Sequence, residues 1–551
     1  MIFVFLWLAL VWVGLMMYSF IDLLRFYQLE EYNNARFLAW AGLKWRRVLH
    51  WPLLAVLLLI IIIGFVTAAP LNIILIAFAL TAAAAAAFYL IRRANAVKIK
   101  PLVVTTRVKR LLGAGALVLL LQAGGLSLGV LSSGASPQSL LEPGADAIPA
   151  FLVCTLMLTL LGQLVVVDVI LANLLAYPIE EYLRRQFIAS AAKALAEVDP
   201  VVIGITGSYG KTSTKELLAH ILAVRYEVYK TPRSFNTLMG ICKVIREELK
   251  PHHRYFIVEM GAYKPGEIAR ICQLVKPRFA ILTAVGPQHL ERFKSIENVA
   301  KAKYELIQAL PGDGVAVFNA DDPICLELSN KTGSRTVRRY GMDNPEICDV
   351  SVRNIVLSSE GTSFELFVKE TAQWYPVKTH LLGRHNVSNI MAAFLLAREC
   401  GVGVKEVIFA IASAVPFAHR LQLVKSENDV LYIDDSYNSN PIGARMALEV
   451  LDTYHGGRRI LVTPGYAELG TIQAAEHEKL GELAGGVCDY VILVGNETRT
   501  SQIQAGALRS EIDPAHILCY NALSQVKEMF VSFLKPGDMV LFENDLPDNY
   551  L

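Results

Sequence analysis

No two cysteines in this chain form a C-x-x-C pair. The eight of them, Cys154, Cys242, Cys272, Cys325, Cys348, Cys400, Cys488 and Cys519, are scattered along it. That spacing argues against a zinc site or a disulfide framework and fits core thiols in a reducing compartment. A strong charge bias is missing too: 52 Lys and Arg oppose 50 Asp and Glu, a formal net charge of +2. Such a chain carries no electrostatic footprint for nucleic acid. Charged residues are themselves few, at 19% against 54% hydrophobic. This balance is too apolar for an ordinary soluble protein and too charged for one wholly within a membrane.

The apolar excess lies near the N-terminus, in residues 2–21, 51–67, 71–91, 111–131 and 150–175. Each run is nearly free of charge and long enough to cross about 30 Å of hydrocarbon as a helix, so the expectation is five spans. Residues 22–50 carry Arg25, Arg36, Lys44, Arg46 and Arg47 and residues 92–110 carry seven more basic groups, whereas 132–148 carry none. The positive-inside rule then places the first two loops in the cytoplasm, the N-terminus outside and everything after the fifth span in the cytoplasm. The expected setting is a multi-pass protein of the cytoplasmic membrane, in contact with lipid. A cleaved signal peptide is the competing reading of the first run, but no small-residue cleavage site follows it. Asp168 lies in the fifth span, where an ionisable residue faces protein or water, either as a functional group or as one tolerated near the membrane edge.

Past Pro178 the pattern becomes alternating α/β. Short apolar runs at 201–205, 255–259, 279–284 and 315–319 are bounded by turn residues and separated by helix-like stretches, as in a parallel sheet covered on both faces. A second such unit begins near Pro416, with runs at 430–433, 459–463, 490–494 and 539–542. The expected architecture is an α-helical membrane domain (1–178), a P-loop α/β central domain (179–415) and a Rossmann-like α/β C-terminal domain (416–551). Ligands of such sheets bind at the carboxyl ends of the strands.

Residues 201–215 read Val-Val-Ile-Gly-Ile-Thr-Gly-Ser-Tyr-Gly-Lys-Thr-Ser-Thr-Lys, an apolar strand running into a glycine-bracketed turn. Gly207 and Gly210 let the backbone come close to an anion, and a helix starting near Lys211 adds the positive end of its dipole. Lys211 is placed for the terminal phosphates of a nucleotide and Thr212 for Mg2+, with Ser208, Tyr209 and Ser213 in the same turn. The spacing, G-x-x-G-K-T, is shorter than the general P-loop pattern, and an ordinary strand-to-helix turn is the alternative.

Seven segments in order carry a family resemblance. They are Thr206 to Thr212, Val258-Glu259-Met260-Gly261-Ala262, Gly286-Pro287-Gln288-His289-Leu290-Glu291, Ala302-Lys303-Tyr304-Glu305, Gly383-Arg384-His385-Asn386-Val387-Ser388-Asn389, His419-Arg420-Leu421, and Asp434-Asp435-Ser436-Tyr437-Asn438-Ser439-Asn440-Pro441. The series resembles the Mur ligases over residues 185–551. The last segment is most similar to that of members adding D-alanyl-D-alanine to a UDP-muramoyl tripeptide.

The resemblance implies an ATP- and Mg2+-dependent ligase in which ATP phosphorylates a carboxylate and an amine displaces the phosphate. Cationic stabilisation of the gathered anions would dominate such a rate. It implies Thr212 and Glu259 as ligands of one Mg2+, and His289 as a ligand of a second. Glu259 could instead cap a helix or form a salt bridge, and His289 could be structural. Lys303 corresponds to a lysine carbamylated by CO2 that would bind the second metal, which requires the neutral amine. Its alternative is an exposed lysine paired with Glu305. Asn386 and Asn389 would read adenine, N-capping being the other role for Asn386. Arg420 would contact phosphate and Asp435 the ribose, unless either is a surface ion pair. Closure of one domain onto the other would complete the site. Asn236, Thr237, Tyr437, Asn438, Asn440, Glu468 and His477 fall where relatives contact substrate.

One departure is large: apolar runs and basic loops stand where the family has a small domain that grips the UDP portion of the precursor. The runs could moor the ligase beside other cell-wall enzymes, or the acceptor could be lipid-linked with its diphosphate held by the basic loops. A synthase of a γ-linked amino-acid polymer and, in another class, an ATP-driven transporter or sensor remain as alternatives.

Overall fold

Two units make up the chain, Met1–Arg185 and Gln186–Leu551. The computed structural model describes residues 2–48, 102–132, 156–158 and 160–544, apart from positions 233, 234, 289, 334, 359, 438, 439, 468 and 496.

In the first unit, helices run over Ile2–Leu29, Asn34–Leu43, Trp45–Val48 and Thr106–Ser132, and another opens at Val165. Phe20, Leu24, Tyr27, Phe37, Leu111, Leu119, Val165 and Val169 pack into one apolar core. Asp168 is buried among these helices, where Gln122 Nε2 donates to its Oδ1 at 2.7 Å. Leu117, Leu120, Leu121 and Leu128 of one helix, and Val167, Leu171, Leu174 and Leu175 of another, are exposed.

The five-span expectation is not supported. The runs at 51–67 and 71–91, and residues 150–155 of the fifth, lie outside the described residues. Among the described residues one helix, Thr106–Leu126, is long and apolar enough to cross a membrane. A second exists only if Leu156–Gly162 and Val165–Val198, bent by 67°, form one span. An apolar run fixes composition but not straightness. Pro178, the expected end of the first domain, lies inside the helix Val165–Val198.

Among the described residues the second unit holds two sheets. The first contains β1 (Val201–Thr206), β2 (Val228–Lys230), β3 (Tyr255–Glu259), β4 (Phe279–Leu282), β5 (Val315–Asn319), β6 (Thr336–Gly341), β7 (Val350–Ser358), β8 (Gly361–Val368) and β9 (Gln373–Thr379), in the order β2-β3-β1-β4-β5-β6-β7-β8-β9. Pairing is parallel as far as β7 and antiparallel from β7 to β9. The parallel reading of the sequence thus stops at β7, where short hairpin connections replace the helical crossovers that parallel strands need.

β1 and β3 are nearly buried throughout because both faces are covered. On one side Ile203, Ile205 and Ile257 meet the helices Lys211–Leu222 and Arg384–Glu399. On the other, Val202, Phe256 and Val258 meet Leu238–Glu247, Glu267–Val275 and Ile296–Gln308.

The second sheet contains β10 (Gln422–Lys425), β11 (Leu431–Asp435), β12 (Arg459–Thr463), β13 (Tyr490–Val494), β14 (Ile517–Tyr520) and β15 (Met539–Glu543), in the order β10-β11-β15-β12-β13-β14. Only β10 is antiparallel to its neighbour. Six cysteines, Cys242, Cys272, Cys325, Cys348, Cys400 and Cys488, are buried as expected, while Cys519 is exposed. Cys519 lies on β14, the edge strand of this sheet among the described residues. Cys154 lies outside the described residues.

Candidate active site

The site gathers at the carboxyl ends of β1, β3 and β4. Two glycines are needed where β1 turns into the helix Lys211–Leu222. A Cβ on Gly207 would stand 1.9 Å from Thr283 Oγ1; Gly210 has φ 78°, and its Cβ would stand 2.5 Å from Asn389 Oδ1. Gly210 is also the N-cap, so the unpaired N–H groups and the positive end of the helix begin at the loop itself. The loop is pinned to the segment after β4. Ser208 Oγ accepts from Gly286 N at 2.9 Å and donates to Gly286 O at 3.0 Å. Thr283 Oγ1 donates to Tyr209 O, and the Tyr209 ring lies against Gly286, where a Cβ would be only 2.5 Å away.

Two ammonium groups meet at one carbonyl of this loop. Lys211 Nζ donates to Gly207 O at 2.6 Å and to Ser208 O at 3.2 Å. Lys303 Nζ reaches the same Gly207 O at 2.9 Å from the helix Ile296–Gln308. Burial, opposed by the Glu259 carboxylate, pushes Lys211 down to about 8. Burial and then the neighbouring Lys211 push Lys303 well below the usual lysine range. The alternative of an exposed Lys303 paired with Glu305 is corrected by the structure: Lys303 is buried. Glu305 instead accepts from the N–H groups of Gly266 and Ala269 at 2.5 and 2.9 Å, holding the start of the helix Glu267–Val275.

Glu259 ends β3 and is 1% exposed. Its Oε2 accepts from Thr212 Oγ1 at 3.1 Å and from Lys215 Nζ at 3.2 Å, and its Oε1 accepts from Asn236 Nδ2 at 3.1 Å. Burial works against its charge, but Lys215 and Lys211 outweigh it and hold the carboxyl below its usual value. Glu259 is therefore an ion-paired carboxylate at the loop and not a helix cap. A hydroxyl oxygen and a carboxylate oxygen side by side suit Mg2+, which takes oxygen ligands and fills most of its shell with water and phosphate. Among the described residues no group of three His, Cys, Asp or Glu could hold a metal. A metal arriving with nucleotide phosphates does not need one.

From the helix Arg384–Glu399, Asn389 Oδ1 accepts from Thr214 Oγ1 at 3.1 Å and Asn389 Nδ2 donates to Asn386 Oδ1 at 3.3 Å. The Asn389 amide thus faces the loop helix and links it to Asn386, whose Nδ2 goes on to Leu382 O at 2.9 Å. The N-cap of their helix is Gly383, so Asn386 is not the cap. From the turn ahead of β10, Arg420 Nη2 donates to Thr212 Oγ1 at 3.4 Å, and its guanidinium lies 4.4 Å from the centre of the Tyr437 ring. The turn that presents Arg420 is unusual. His419 and Leu421 on either side have φ 59° and 46°, and they are tied to the end of β11 by His419 Nδ1 to Asp434 Oδ2 (2.7 Å) and Leu421 N to Asp435 Oδ1 (3.2 Å). Burial, opposed by Arg420, pushes Asp435 up to about 6.

Not every candidate points into the site. Thr237 caps the helix Leu238–Glu247, and Asn440 Oδ1 caps Pro441–Asp452 by accepting from Gly443 N at 2.9 Å. His477 is fully buried, with Nε2 accepting from Tyr466 N and Nδ1 bonded to Gln502, so it presents no atom to a substrate. His289, Asn438 and Glu468 lie outside the described residues. Three contributors have no assignment from the sequence: Lys215, Thr283 and Thr214. Lys215 had a signal, since it lies four residues after Lys211 and so on the same helix face. Thr283 had none, because nothing local marks a threonine as a clamp on a distant loop.

Comparison with known proteins adds a family. Residues 205–397 match the Mur ligase middle domain, and residues 419–543 match the Mur ligase glutamate ligase domain. The UDP-N-acetylmuramoyl-tripeptide–D-alanyl-D-alanine ligase of Escherichia coli (strain K12) is 32% identical over 64% of this chain and 77% of its own length. The chain belongs to the Mur ligase family. The ligase of the same name from Mycobacterium leprae (strain TN) is 31% identical over 62% of this chain and 70% of its own length. Among solved structures, the MurF ligase of Thermotoga maritima in complex with ADP matches with TM-score 0.58 and 28% identity, over 66% of this chain and 80% of that one. MurF from Acinetobacter baumannii matches with TM-score 0.59 and 27% identity, over 66% and 77%. For this Mur ligase the transporter and sensor readings fall away, because both matched domains belong to a ligase.

Proposed function

We propose that the protein is an ATP-dependent carboxylate–amine ligase of the MurF type, adding D-alanyl-D-alanine to a UDP-muramoyl tripeptide. One observation carries the reading. Lys211, Thr212, Glu259, Lys303 and Arg420 come from the two matched α/β domains and converge on one loop in a chain whose relatives bear that ligase name. Transfer of the γ-phosphoryl group to the substrate carboxylate breaks the bond to ADP and forms an acyl phosphate. The amine then adds to the acyl carbon, phosphate leaves and the amine gives up a proton. Lys211 and Arg420 counter the charge gathered on the phosphoryl oxygens, and the Gly210 helix terminus adds its dipole. Thr212 and Glu259 would hold Mg2+, which supplies charge neutralisation at the phosphates. We assign Lys303 to carbamylation by CO2, the neutral amine being favoured by burial beside Lys211. His289 completes that assignment from sequence resemblance. Asn386 and Asn389 are assigned to the base, Asp435 to the ribose, and Asn236 and Tyr437 to the substrate side.

The test is ADP release. With ATP alone, or with either substrate alone, release should stay near background, and it should rise with both tripeptide and dipeptide present. Equal release without them would contradict a ligase.

The first unit supports a further reading, that it seats the ligase in the cytoplasmic membrane with its N-terminus outside. What favours it is an inside-out pattern: Asp168 and Asn173 are buried while Leu117, Leu121, Leu171 and Leu174 are exposed. A lipid-linked acceptor and the γ-linked polymer synthase are the variants it leaves open.

A further inference from the structure

Lys215 is the most heavily buried charge near the loop, with none of its surface exposed. It sits one turn beyond Lys211 on the helix Lys211–Leu222, between the fully buried Thr214 and Leu217, in a position where an apolar side chain would avoid desolvating an ammonium. Its Nζ lies 3.2 Å from Glu259 Oε2 and 3.5 Å from Glu216 Oε1. Glu216 has a second cation, since Lys230 pairs with its other oxygen. Glu259 has Lys215 as its direct ionic contact, together with the neutral donors Thr212 and Asn236. The carboxylate beside Thr212 is therefore already balanced before any ligand arrives.

We propose that Lys215 is a positioning residue whose ammonium holds and neutralises the Glu259 carboxylate, so that a divalent cation enters only together with the nucleotide phosphates. The inference rests on the metal assignment of Thr212 and Glu259 made above. A lone divalent cation meets a site where Glu259 is balanced by Lys215 and where Lys211 adds a further positive charge. Nucleotide phosphates supply the negative charge that the site lacks, and Thr212 and Glu259 would hold the metal that comes with them. Order of binding is thereby written into the charge balance: the metal–nucleotide complex binds as a unit, and free metal does not occupy the site ahead of it.

Mn2+ binding to the full-length protein, followed by electron paramagnetic resonance with and without ADP, tests this independently of turnover. In the wild type, Mn2+ should bind at least tenfold more tightly with ADP than without it. Lys215→Met should raise ADP-free Mn2+ affinity and shrink the ADP effect several-fold, while Lys215→Arg keeps it. Lys215→Gln retains a donor to Glu259 and serves if the methionine variant does not fold. A merely structural ion pair would lower Tm in these variants and leave the ADP effect unchanged, which overturns the proposal. Tight Mn2+ binding to the wild type without ADP overturns it with no variant needed. Failure of the wild type to bind Mn2+–ADP at all would instead contradict the nucleotide-site reading beneath it.

Discussion

Lys211 is buried against the carbonyls of its own loop, and burial brings its ammonium down to about 8. Nucleotide phosphates favour the charged form, so binding above that value must take up a proton. The sign follows: affinity is full below about pH 8 and falls as pH rises, approaching tenfold per unit well above it. Calorimetric titration of ADP from pH 7 to 10 checks this, and Lys211→Arg should flatten the profile. The candidate residues that the structure brings together are those whose chemistry is local to a motif: Lys211, Thr212, Glu259, Lys303 and Arg420 meet around one loop. His477 shows the limit. A histidine at a family position reads as substrate-facing, yet here its ring is a buried brace for Tyr466 N. His477→Ala should cost about 1–3 kcal/mol of stability by orphaning that N–H. The check is a denaturant melt beside KM for both substrates, and KM should move far less than the melting midpoint.

At the scale of elements, the loop between β1 and its helix is held by contacts from every side. Gly210→Ala asks a residue with φ 78° to accept a Cβ, which would stand 2.5 Å from Asn389 Oδ1 and displace it. The backbone strain alone costs about 1 kcal/mol, so Tm should fall by a few degrees. Nucleotide binding should fall more steeply, because Asn389 also anchors Thr214. Isothermal titration with ADP beside a thermal melt separates the two effects. The parallel strands that are apolar runs between turn residues were legible, and β1, β3, β4, β5, β12, β13 and β15 begin where those runs begin, whereas the parallel strands β2, β6 and β14 were missed, β6 because Arg338 and Arg339 interrupt its apolar pattern. β7 to β9 were not legible. Their alternation, as in β8 with every second residue buried, is that of a sheet with one face covered, and it lacks the continuous apolar run that marks a strand covered on both. Of the apolar runs of the first unit, those at 51–67 and 71–91 lie outside the described residues, and Thr106–Leu126 is the described helix that meets the test for a span: hydropathy counts residues, while a span also needs an unbroken helix of sufficient length.

Over the whole molecule, residues 205–397 and 419–543 account for the ligase, and the first unit has no counterpart in those matches. If that unit seats the protein in a membrane, full-length protein should float with lipid vesicles in a density gradient and resist extraction by high salt, while detergent releases it. Recovery of the protein in the dense fractions would contradict the seating. Full-length protein in detergent with ATP, Mg2+, UDP-muramoyl tripeptide and D-alanyl-D-alanine should yield, by mass spectrometry, one amide product in step with equal amounts of ADP and phosphate. No amide from these substrates, with Mn2+–ADP binding intact, would contradict a D-alanyl-D-alanine-adding ligase and move the acceptor to another chemistry.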